Sequence, residues 1–105
     1  MPSIALKNVA AGTSNALSGL RHEEIEPPGA LITLAASGAA AGAALTYGIG
    51  SDVVMDEAEP NIEASADVVD MERDVLLDRE PVQPGKQFLR TAGQISNVVV
   101  VIEQL

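Results

Sequence analysis

Few residues in this chain carry side chains that catalysis needs. His22 is the only histidine, and there is no cysteine. A general base or metal ligand at His22 is chemically open, and a Ser-His-Asp set would have to use it. No serine has the context of a nucleophile elbow, and the neighbours Arg21 and Glu23 suit a surface histidine. Without cysteine, thiol catalysis, disulfide scaffolds and zinc ribbons are excluded. Asp70, Glu72 and Asp74 alternate with Met71, Arg73 and Val75. On a strand these acids would share one face at about 7 Å spacing. Three like charges in a row need a partner's base, a divalent cation or water, which makes them the chain's candidates for a cation site. The central glycine of an EF-hand loop is missing, and a solvated face or loop is the preferred reading. Neither a metal nor a cofactor is expected.

The remaining motifs are weaker as chemistry. Asp52, Asp56, Glu57, Glu59 and Glu63 gather around Pro60. They read as a solvent-facing loop or as an electronegative surface for a basic partner. Gly48-Ile49-Gly50 lacks the third glycine and following helix of a dinucleotide site, and no Gly-Lys-Ser/Thr phosphate loop exists. Gly85-Lys86 reads as a hairpin turn. The chain is therefore expected not to be an enzyme.

The elements that would position such residues are short. The 105 residues suit one domain with a modest core. Tyr47 and Phe88 are the only aromatics, so the core must be built from Val, Ile, Leu, Met and Ala. Small side chains bury little area each, which makes a subunit interface a natural source of extra stability.

Net charge is −9, from 15 acids and 6 bases. The bases Lys7, Arg21, Arg73, Arg79, Lys86 and Arg90 are scattered, which argues against nucleic acid and against anionic membranes. Residues 51–80 hold eleven of the acids, and so essentially all of the excess charge. No signal peptide is expected, since the start has a single base, Lys7, and no continuous apolar run.

Pro28-Gly29 and Pro84-Gly85 have the residues of type II turns, and Glu59-Pro60-Asn61 and Ala92-Gly93-Gln94 are further breakers. Between them, runs of strand length predict strands near 3–9, 17–25, 30–36, 43–49, 52–58, 65–70, 73–78, 86–91 and 96–103. Leu45, Tyr47 and Ile49 alternate as on a half-buried strand. Val98 to Ile102 is an unbroken β-branched run, suited to a central strand or a subunit contact. The best helical candidate, Ile62 to Asp70, is outweighed. The expected fold is all-β: a small antiparallel β-sandwich of jelly-roll type spanning 19–105, with an N-terminal arm over 1–18.

One rival is a membrane span. Ala30 to Ile49 is uncharged and long enough to cross a bilayer, and Gly38 to Gly42 has small-residue helix-packing spacing. Its Ala, Gly, Ser and Thr content and its acidic flanks on both sides oppose that reading.

Three segments carry a resemblance. These are PVQPGKQFLRTAGQISNVVVVIEQL (81–105), AALTYGIGSDVVMDEAEPNIEASADVV (43–69) and the Ser/Ala/Asn-rich opening (1–18). In this the chain resembles small β-sandwich structural proteins of viruses, above all jelly-roll capsid decoration (cement) or minor capsid proteins of tailed phages. The resemblance implies a virion structural protein made in the host cytoplasm. It would form a homotrimer or similar ring on a lattice of major capsid protein and stabilise the capsid by contact. The contact residues expected are Val98, Val99, Val100, Val101, Ile4 and Leu6. The alternatives are a small soluble carbohydrate- or peptide-binding module, with Tyr47 and Phe88 as its only ring platforms, and a small membrane protein spanning near 30–49.

Overall fold

A computed structural model describes residues 2–59, 61–64 and 68–105. Eight strands form: β1 (Ser3–Val9), β2 (Glu24–Ile25), β3 (Ala30–Ala39), β4 (Ala44–Ile49), β5 (Asp52–Ala58), β6 (Val75–Val82), β7 (Gly85–Ala92) and β8 (Ile95–Gln104). They make two four-stranded antiparallel sheets, ordered β1-β8-β3-β6 and β2-β7-β4-β5. That order, with every successive strand except the β4–β5 pair passing from one sheet to the other, is a jelly roll. The all-β sandwich expected from the breakers and alternating runs is the fold observed.

The inward faces follow from period-2 alternation. Ile32, Leu34 and Ala36 of β3 and Val98, Val100 and Ile102 of β8 face Leu45, Tyr47 and Ile49 of β4 and Leu89 of β7. All are buried to 3% exposure or less. Tyr47 fills the centre, and its hydroxyl donates to Gln87 Oε1. Gln87 Nε2 in turn donates to the His22 carbonyl at 2.9 Å, so one buried amide ties the 10–23 loop to the second sheet. Burial pushes the Tyr47 hydroxyl well above the ordinary phenol range, so it stays a neutral donor.

Several expectations are corrected. Residues 17–25 are strand only at Glu24–Ile25. The segment before β2 runs through turns instead, with Gly12, Gly19 and His22 at positive φ, and seats Leu17 in the core. It lies along β7: Ala16 N–H donates to the Leu89 carbonyl, Leu89 N–H to Asn15 Oδ1, and Thr91 N–H to the Thr13 carbonyl. The strand expected at 3–9 is present with those bounds: it is the edge strand β1, whose Ile4 and Val9 enter the core. Pro28-Gly29 belongs to a turn over 26–29 with a cis Pro27–Pro28 bond, closed by Gly29 N–H to the Glu26 carbonyl. Gly85-Lys86 is a corner rather than a hairpin, because β6 and β7 lie in different sheets. The hairpin is β4–β5, turning at Gly50-Ser51 with Gly50 at φ 62.

Ala30 to Ile49 forms β3, a turn and β4, one strand in each sheet, which overturns a membrane helix there. Among the described residues no helix is long and apolar enough to cross a membrane. Of the strand expected at 65–70 and the helix at 62–70, residues 65–67 lie outside the described residues. Residues 61–64 and 68–70 are neither helix nor extended strand, apart from a single bridge between Glu63 and Ser37.

Tyr47→Phe removes the donor from Gln87 Oε1 and leaves a buried acceptor unpaired, a cost of about 1–3 kcal/mol. Thermal melting should show a Tm lower by roughly 4–8 °C for each kcal/mol. An unchanged Tm would mean that the Tyr47–Gln87 pair does not hold the core.

Candidate interaction surface

The residues singled out for chemistry do not converge. His22 is exposed at the mouth of an open cleft of about 500 Å³, with Glu23, Glu24 and Glu26 on one wall and Ile102 and Gln104 on the other. Among the described residues no group of three His, Asp or Glu side chains is placed to hold a metal ion. Asp70, Glu72 and Asp74 are not on a strand, so they do not share a face. Residues 70–74 form one tight turn that closes on itself. Asp70 Oδ1 accepts from the N–H groups of Glu72 (2.9 Å) and Arg73 (3.2 Å), while Asp70 N–H donates to Asp74 Oδ2 (2.8 Å). The Arg73 guanidinium bonds both Asp74 oxygens, at 3.0 and 3.2 Å. The backbone N–H groups of Glu72 and Arg73 hold the Asp70 carboxyl below its ordinary pKa. The Arg73 guanidinium does the same for Asp74, helped by the Asp70 N–H and opposed by burial. This turn carries structure: the Asp74 carbonyl accepts the Ala36 N–H beyond the end of β6.

Tyr47 is fully buried and cannot serve as a ring platform. Phe88 faces outward on β7. It lies against Gly48, where a Cβ would meet the Phe88 ring and the Asp52 carbonyl. Arg90 covers the ring, its Cζ 5.7 Å from the centroid.

The expected contact residues divide by parity. Val98 and Val100 are fully buried, and Ile4 is buried, all facing the core. Leu6 packs partly buried against the same core. Val99 and Val101 point outward and are half-buried. The register aligns the outer face of the first sheet in rows: Lys7–Asn97–Ser37, Ala5–Val99–Ala35–Val75, Ser3–Val101–Thr33, and Glu103–Leu31–Pro81. Lys7 Nζ donates to Asn97 Oδ1 at 2.7 Å, and Asn97 Nδ2 to Ser37 Oγ at 3.3 Å. Ser37 Oγ reaches the Val68 carbonyl, which brings the 68–74 segment over this end of the face.

Toward β6 the face dips into a depression of about 190 Å³ lined by Leu31, Thr33, Asp78, Arg79, Val101 and Glu103. A bulge shapes it, with Asp78 and Arg79 both opposing Thr33. Arg79, at φ 49, donates its N–H to Thr33 Oγ1. Its guanidinium meets Glu103 Oε2 at 2.9 Å, neutralising the one acid of β8. Strands β1 and β3 contain no acid at all.

The acids crowd every other border. Asp52, Asp56 and Glu57 lie on the edge strand β5, and Asp78 and Glu80 on the edge strand β6. Glu23, Glu24 and Glu26 surround the two-residue β2. A chain of net charge −9 thus has a stretch of outer sheet face, at Ser3, Ala5, Val99, Val101 and Thr33, that carries no acid, while Glu63 and the 68–74 segment with its acids cover the Ala35–Ser37 end. Sequence reasoning missed its polar members Thr33 and Ser3, because only the strand register places them beside Val101.

The depressed Asp74 pKa stabilises the fold above the ordinary carboxylate value, near pH 4, and that stabilisation is lost as pH falls through the lower folded value. Asp74→Ala should therefore melt below wild type at neutral pH. The difference should close as pH falls below the ordinary carboxylate value and Asp74 becomes protonated in the folded state too. A difference that persists in acid would show that the charge of Asp74 does not hold the turn.

Comparisons with family models, with curated proteins and with solved structures return no match.

Proposed function

We propose that this chain is a non-enzymatic structural subunit that decorates or stabilises a phage capsid, meeting the major capsid protein lattice through the outer face of β1, β8 and β3. The observation that carries this reading is the segregation of charge. Acids fill the β2, β5 and β6 borders, while the Ala5–Val99–Ala35 and Ser3–Val101–Thr33 rows are uncharged. Support also comes from the jelly-roll order, an architecture that recurs in viral capsid domains and in lectins. Fold alone does not choose between these, and the site must decide. A lectin needs exposed ring platforms; Tyr47 is buried and Phe88 lies under Arg90. Binding by contact fits a surface whose polar groups are hydrogen-bonded to one another, as in the Lys7–Asn97–Ser37 row.

The test is co-sedimentation with shells assembled from the major capsid protein encoded in the same genome. Wild type should saturate the shells at a fixed ratio. A Thr33→Lys/Val101→Lys double variant, changed only at half-exposed outward positions, should keep its fold and bind at least about tenfold more weakly. Absence of wild-type binding to immature and mature shells would overturn the decoration reading, and equal binding by the variant would remove this face from it.

A further inference from the structure

Each sheet has two edges, and three of the four are guarded. β2 is two residues long and is followed by Pro27 and Pro28. β5 carries Asp52, Asp56 and Glu57 and has a register shift beside Gly48. β6 carries Asp78, Arg79, Glu80 and Pro81 and bulges at Arg79. Shortness, charge, proline and bulges are the means by which edges are kept from pairing. Over Ser3–Lys7, β1 has no acid, no proline and no bulge, and its single charge, Lys7, bonds sideways to Asn97.

The backbone of this edge is free to bond. Ile102 N–H donates to the Pro2 carbonyl. Alternation along an antiparallel ladder then turns Ile4 and Leu6 toward β8, and aims the N–H and C=O groups of Ser3, Ala5 and Lys7 away from the sheet. A strand that takes this edge must be extended, and it must bring no like charge opposite Lys7. We propose that its occupant is a second copy of this chain, added antiparallel across a two-fold axis at Ala5.

In that register Ala5 faces its own copy, Ser3 faces the copy's Lys7, and Ile4 faces its Leu6. All three outward-bonding residues of each strand find partners, and no like charges stand opposite. The small Ala5 side chain lets the pair meet at the axis, and the apolar row Ala5–Val99–Ala35 continues into its copy. The symmetry is isologous, so the assembly closes at two and joins two four-stranded sheets into one of eight. The edge that distinguishes this chain thus favours a pair over the three-fold ring implied by the family resemblance. The inference rests on reading the acid-free surface as the contact surface, but it concerns the free protein and needs no shell.

Sedimentation equilibrium of the free chain tests it. A dimer is expected at about 100 μM, and it should tighten as salt rises to about 0.5 M, since each copy repels the other at long range. Ala5→Pro removes only an outward N–H and should give a folded monomer. Ala5→Lys and Ala5→Glu each place like charges at the axis and should each be monomeric. Their equimolar mixture should recover the dimer, which happens only if position 5 faces itself. A wild-type monomer under these conditions, a trimer, or a dimer unaffected by Ala5→Pro or Ala5→Lys would overturn the pairing. None of these results bears on shell binding by the monomer, and failure of shell binding leaves the dimer standing.

Discussion

The antiparallel pairing of β3 with β8 is the interaction on which the rest of the molecule depends. These are the two longest strands, paired from Ala30–Gln104 to Ala39–Ile95, and they occupy the middle of the first sheet. Their inward side chains are Ile, Leu, Ala and Val at essentially zero exposure, and they form the floor on which Tyr47 and Leu89 of the other sheet pack. A strand with neighbours on both sides and a covered face tolerates little charge, and β3 has none. With the centre held so, β1 and β6 can be added on either flank, and the acids are displaced to the borders and connections.

That displacement links fold to function. A small chain with 15 acids would be expected to repel its own copies and most anionic surfaces. The outward positions Ser3, Ala5, Val99, Val101 and Thr33 escape this because none of them is an acid. Arg79 supports the same separation. The bulge turns it toward Glu103, so that the last acid of β8 is paired where the face ends. Exposed pairs of this kind contribute at most about 1 kcal/mol to stability, so the effect lies in the shape and charge of the surface more than in the fold.

Much of the architecture was legible in the chain. The β-branched run at 98–102, the alternation of Leu45, Tyr47 and Ile49, and the Pro and Gly breakers together lead to an all-β sandwich, and β1, β4 and β5 fall within a residue or so of their expected bounds. What could not be read locally is which strands share a sheet. Pro84-Gly85 has the residues of a hairpin turn, yet it serves as a corner between sheets because β7 finds its partners in β4 and β2. The acids at 70–74 alternate as on a strand. They form a turn because Asp70 bonds its own backbone two and three residues ahead, a local bond that competes with strand pairing. The expected contact residues divide between core and surface for a reason of parity: an unbroken valine run does not announce which side faces in. Only the register with β3 shows that Val98 and Val100 belong to the core, and Val99 and Val101 to the surface.

On the proposed reading, the open edge of β1 is where the molecule associates. Amide hydrogen exchange of the wild-type chain, followed residue by residue as concentration rises, addresses it most directly. Ile4 and Leu6, bonded to β8, should be protected at every concentration. The backbone N–H groups of Ala5 and Lys7, which point away from β8, should exchange fast when dilute and slow when concentrated. Fast exchange at Ala5 and Lys7 at all concentrations, or concentration-dependent protection confined to β5 or β6, would contradict the account.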